Sequence, residues 1–194
     1  SVPTTGAGTV VDEAGLPARG TEPPGSNAAA PSESTSGTIT FTAPDGVASV
    51  AINGIAITGA GQVITVSTGT LLITGYNPAT GTLAYTFTLT DNTSGDATSQ
   101  IFTITVTDTD GDTASSPFTV RIIDDVPTAS NDSGTQAAEN TPVTVNIIAN
   151  DTQGADGVNL STGVALVAGS LTGTGTLVYN NNGTFTYTPA PGEQ

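Results

Sequence analysis

The side chains able to do chemistry in this chain are almost all carboxylates, and the densest set is Asp108-Thr109-Asp110-Gly111-Asp112. Alternate spacing within a tight turn aims Asp108 and Asp110 to one side. Calcium takes about six to eight oxygens at roughly 2.3–2.6 Å from carboxylates, carbonyls and water, so several carboxylates and a glycine to bend the backbone supply about half a shell. A solvated acidic hairpin is the plain alternative for the same residues. A second, more dispersed set comprises Asp124-Asp125, Asn131-Asp132, Asn150-Asp151 and Asp156. In tandem sandwiches the last strand of one module ends beside the first loops of the next, so these residues are expected to meet at a joint that a shared ion would stiffen. An ordinary acidic linker is the competing reading.

Two familiar calcium motifs are excluded. In an EF-hand the glycine stands at the sixth loop position and a glutamate at the twelfth, whereas here Gly111 is fourth and Thr119 twelfth, with no flanking helices. The fragment Gly154-Ala155-Asp156-Gly157 occurs once, without the repetition a nonapeptide β-roll needs. Glu13 is a lone acid, of a kind more often solvated than liganding.

Composition narrows the function classes. There are 17 acidic residues against Arg19 and Arg121, no lysine, and a formal net charge of -15. Such a chain repels nucleic acid and anionic membranes, and its counter-charge is expected to be a dissolved cation, calcium first. Cysteine, histidine, methionine and tryptophan are all absent, which removes thiol and imidazole mechanisms and the usual zinc, haem, iron–sulfur and copper sites. An enzyme is not expected. Asp108 and Asp110 could stand apart like a glycosidase pair, but an exposed turn lacks the apolar pocket that raises one carboxyl's pKa, and Arg121 reads as an outward strand residue. A glycan- or peptide-binding module is the other alternative, with Tyr76 and Tyr179 as its aromatic platforms. No apolar run approaches membrane-spanning length, so direct membrane insertion is not expected. Ser1-Val2-Pro3 opens no signal sequence, so any export signal was cleaved or lies elsewhere.

The elements that must carry these acids are strands. Leu83, Tyr85, Phe87 and Leu89 alternate with threonines and Ala84, and Ile39/Phe41, Phe102/Ile104/Val106 and Phe118/Val120/Ile122 repeat the pattern. Period two of this kind means half-buried strands. Asn53-Gly54, Asn77-Pro78-Ala79-Thr80-Gly81 and Asn182-Gly183 supply the turns, Asn-Gly being the strong type I′ hairpin signal. No helical spacing appears. The fold class is therefore all-β, tandem immunoglobulin-like β-sandwiches with the second incomplete, barrels being the alternative topology. Residues 1–36, rich in Gly, Pro, Ala, Ser and Thr, read as a loosely structured leading segment of the first module, 1–126. The second, 127–194, stops before any counterpart of the first module's last two strands. Either a further segment completes it, the chain was cut there, or the natural domain is interrupted. The Asp108–Asp112 turn is expected at the end of the first sandwich opposite Asp124, facing Glu13 or a preceding module.

Three stretches, Val11-Asp12-Glu13-Ala14-Gly15-Leu16-Pro17, Thr105-Val106-Thr107-Asp108-Thr109-Asp110-Gly111-Asp112 and Ile123-Asp124-Asp125-Val126-Pro127-Thr128-Ala129, resemble the tandem Ig-like repeats of giant RTX adhesins exported by type I secretion. The second module, with Ala149-Asn150-Asp151-Thr152 and Gly154-Ala155-Asp156-Gly157, resembles a following VCBS or cadherin-like repeat. The resemblance implies an extracellular location at the bacterial cell surface and an extender role in a surface or biofilm adhesin. Its partners would be calcium ions, neighbouring repeats of the same polypeptide and, through other modules, a host or biofilm ligand. It raises Glu13, Asp108, Asp110, Asp112, Asp124, Asp125, Asp132 and Asp151 as metal ligands. The absent final hairpin of module two is the departure from that pattern and leaves the joint's ligand set incomplete.

Overall fold

Alternating apolar residues can be buried only against a second layer, and in most of this chain that layer exists. The structure, a computed structural model, describes residues 8–95 and 98–193. It divides into two units, Ser1–Asp125 and Val126–Gln194. Regular structure among the described residues is β, apart from one 3-10 turn at Glu13–Gly15.

Unit 1 contains β1 (Val10–Asp12), β2 (Ser34–Thr40), β3 (Val47–Ile52), β4 (Ile55–Ala56), β5 (Val63–Val66), β6 (Gly69–Asn77), β7 (Thr82–Leu89), β8 (Thr98–Asp108) and β9 (Thr113–Ile123). They form two sheets, ordered β1-β9-β8-β3-β4 and β2-β7-β6-β5. The alternation in β7 becomes a strict burial pattern: Leu83, Tyr85, Phe87 and Leu89 face inward. They meet Phe102 of β8 and Phe118 of β9, with Tyr85 and Phe118 edge-to-face at 4.7 Å, Phe87 and Phe102 at 5.8 Å, and Phe102 stacked on Phe118 at 5.7 Å. Each fully buried aromatic or aliphatic side chain contributes roughly 1.5–3 kcal/mol, so this cluster is the main source of the unit's cohesion. The strand pair β5–β6 was not anticipated. Its signal was Ile64 and Leu71/Ile73 on either side of Ser67-Thr68, a pattern diluted by glycines and a bulge between Ile73 and Gly75.

The leading segment is ordered where it is described, contrary to expectation. Val11 and Leu16 are buried. Gly25 donates to the Leu16 carbonyl and Asn27 to that of Ala14, and a Cβ on Gly25 would lie 2.4 Å from the Glu13 carbonyl oxygen. Prolines and glycines forbid a helix, but two apolar anchors suffice to fold a compact loop onto the sandwich. β1 runs parallel to β9, with Val10 opposite Arg121 and Asp12 opposite Ile123. Arg121 N–H donates to the Thr9 carbonyl, so the odd-numbered residues of β9 turn their backbone groups outward. Pro117 occupies one of these positions and removes a donor from an edge that β1 is too short to cover.

Unit 2 holds β10 (Val143–Asn146), β11 (Thr176–Tyr179) and β12 (Thr184–Thr188), in the order β10-β12-β11. Tyr179 and Phe185 pack at 4.9 Å. The Asn53-Gly54 turn between β3 and β4 has positive φ at both residues, as a type I′ turn requires. The expectation for Asn182-Gly183 needs correction: the connection spans residues 180–183, Asn181 and Gly183 take positive φ, and Asn182 instead accepts hydrogen bonds from Thr184 N–H and Oγ1.

Candidate metal centre

Acidic side chains gather at both ends of β9, in different surroundings. At its C-terminal end the parallel pairing of β1 sets Asp12 beside Ile123, so the next residue, Glu13, arrives at Asp124. Glu13 was expected near the Asp108 turn. The parallel register of β1 sends it to the opposite end of an eleven-residue strand, roughly 30 Å away. Glu13 is fully buried, and its Oε1 accepts from Thr93 N–H and Thr93 Oγ1, both at 2.7 Å. One of its carboxylate oxygens lies within 4.8 Å of one from Asp124. At an effective dielectric constant of about 20, two ionised carboxylates no farther apart than this repel by roughly 3.5 kcal/mol or more, which a cation between them reverses. Asp125 is also buried but already engaged, accepting from Ser26 N–H at 2.7 Å and Ser26 Oγ at 2.5 Å, one on each oxygen.

At the other end the β8–β9 turn is closed by Asp108, whose Oδ1 accepts from Gly111 N–H at 3.1 Å and Asp112 N–H at 2.8 Å. Gly111 has φ of 100°, which favours glycine. Carboxylate oxygens of Asp45, Asp108 and Asp110 lie within 4.8 Å of one another. A hydrogen bond from the Asp110 carboxyl lowers the Asp108 pKa, helped by the backbone N–H groups, and the same bond followed by the charge of Asp108 raises that of Asp110. Asp112 lies outside this trio and contributes its backbone N–H and carbonyl to the turn. Asp45 escaped the sequence reading because it is a single acid in Ala43-Pro44-Asp45-Gly46. Its signal was the Pro-Asp-Gly turn leading into β3, which pairs with β8 and sets Val47 opposite Asp108.

In unit 2, Asp151 Oδ1 accepts from Ser130 N–H at 2.7 Å, and Asp132 is exposed. Among the described residues of unit 2 alone, no three carboxylates come together. The tyrosines proposed as ligand platforms differ from that picture. The Tyr179 hydroxyl donates to the Leu160 carbonyl and accepts from Gly183 N–H, and Tyr76 is partly buried, which raises its pKa. Arg121 is exposed on β9, as expected.

Both ends of β9 offer oxygen donors alone. That donor set suits a hard divalent cation such as calcium, with Glu13 and Asp124 at one end and Asp45, Asp108 and Asp110 at the other.

The fold is all-β and consistent with Ig-like β-sandwich domains. Residues 124–194 match the family model of the bacterial Ig domain, which supports a bacterial Ig-like repeat there, a kind of domain that is typically structural and often surface-associated. No curated protein matches the chain. No helix among the described residues is long and apolar enough to cross a membrane.

Proposed function

We propose that this chain is a calcium-stiffened extender repeat of a bacterial surface or biofilm adhesin, whose task is reach and rigidity between ligand-binding modules. The observation that carries the reading is the fully buried carboxylate of Glu13 held close to that of Asp124, in a chain with two arginines and no lysine. Burying one carboxylate beside another is costly unless the pair is neutralised, and a divalent ion does so while fixing the geometry of the strand end. Asp45, Asp108 and Asp110 form a second, shallower position for the same ion. The bacterial Ig-domain match over residues 124–194 and the resemblance to adhesin repeats support the surface location. Neighbouring repeats of the same polypeptide are the expected partners. Isothermal titration should show calcium binding with magnesium a weak competitor, and chelator should lower the melting temperature of unit 1. Identical melting curves with calcium and with chelator would refute the reading.

A further inference from the structure

An extender carries tension, and the topology of unit 1 shows where that tension goes. Load applied between the N-terminal end of the chain and unit 2 enters unit 1 ahead of β1 and leaves after Asp125. β1 and β9 are parallel, with their register running from Val10/Arg121 to Asp12/Ile123. A pull on the leading end drags β1 toward its N-terminus while a pull on Asp125 drags β9 toward its C-terminus. The two strands are therefore sheared along their common axis, and their hydrogen bonds are loaded together instead of one at a time. The N-terminal side is anchored further by Gly8, whose carbonyl accepts from the buried Tyr85 hydroxyl at 2.8 Å and whose N–H donates to Thr35 Oγ1 at 3.1 Å. Both residues belong to the opposite sheet.

A second connection spans the same load path. Asp125, the last residue before unit 2, holds Ser26 through both carboxylate oxygens. Charge-assisted hydrogen bonds of this kind are the stronger ones, and burial of Asp125 keeps water from replacing them. If β1 slips, the chain pays out only as far as Ser26 before the Ser26–Asp125 pair takes the load. We infer that unit 1 is a tension-bearing element in which the β1–β9 pair is the primary shear contact and Ser26–Asp125 is a latch in series behind it. This deepens the extender reading and depends on it for its biological use, though the mechanics follow from the strand directions alone.

The chain has no cysteine, so thiol handles can set the pulling axis in the full-length protein. Single-molecule force spectroscopy with Ser1→Cys and Val126→Cys loads the end-to-end path. Ser67→Cys and Thr90→Cys instead load the open end of the β6–β7 hairpin, where bonds break one by one. All pulls are made in chelator, so the result is independent of calcium and a failure here leaves the calcium reading standing. The end-to-end axis should need several-fold higher force than the hairpin axis; equal forces overturn the shear contact. Adding Ser26→Ala should lower the end-to-end force, or remove its second peak, and leave the hairpin axis unchanged. If Ser26→Ala weakens both axes equally, or neither, the latch is overturned.

Discussion

Units 1 and 2 are written in the same threonine-and-apolar alternation, yet they are held together in different ways. In unit 1 two sheets close over Tyr85, Phe87, Phe102 and Phe118, each fully buried. In unit 2 a three-stranded sheet leaves Val143, Leu177, Phe185 and Tyr187 only partly covered, and Val178 stands 56% exposed. Polar fastenings carry more of its local order. Glu193 accepts from the Tyr187 hydroxyl and from Thr174 N–H on one oxygen and from Ala190 N–H on the other, fixing the chain beside the β11–β12 pair. Alternation specifies which face of a strand is apolar, and only an opposing layer turns that face into a core.

The largest expected effect tests this contrast directly. Phe118→Ala should cost about 3–5 kcal/mol in denaturant unfolding of unit 1, the range for truncating a buried Phe. Phe185→Ala in unit 2 should cost clearly less; equal losses would break the comparison. Glu13→Ala comes next, at about 0.5–1.5 kcal/mol for the hydrogen bonds lost from the half-buried Thr93, and it should also remove most of the calcium-induced rise in melting temperature.

A smaller, pH-dependent effect belongs to unit 2. The hydrogen bond from the Tyr187 hydroxyl, followed by the two backbone N–H groups, pulls the Glu193 carboxyl down to about 2 from 4.5. A depressed carboxyl stabilises the fold fully above its unfolded value, so this contribution should be present above pH 4.5 and disappear as the pH falls toward 2. Glu193→Gln should flatten that part of the acid titration of unit 2 followed by circular dichroism, while leaving unit 1 unchanged. The smallest effect on stability is expected for Asp110→Asn at the exposed β8–β9 turn, which should leave the unfolding midpoint where it is. Calorimetry should nevertheless show weaker calcium binding by the Asp45–Asp108–Asp110 trio. Because the hydrogen bond with Asp108, followed by its charge, raises the Asp110 carboxyl above an ordinary aspartate, that binding should also weaken on acidification.

Much of the fold was readable in advance because strand alternation is local. Period two in Leu83–Leu89 and Phe118–Ile122, with positive φ at Asn53-Gly54, follows from the pleat and from the steric freedom of Asn and Gly, and each needs only its own few residues. The absence of histidine, cysteine and lysine likewise limited the chemistry to oxygen donors without any coordinates. What tertiary structure decided was which acids meet. Glu13 reaches Asp124 because β1 pairs parallel to β9, Asp45 reaches Asp108 because β3 pairs with β8, and Asp125 turns to Ser26. Each of these encounters joins residues more than sixty positions apart, and their register is set by the packing of the whole sandwich, which no local pattern records.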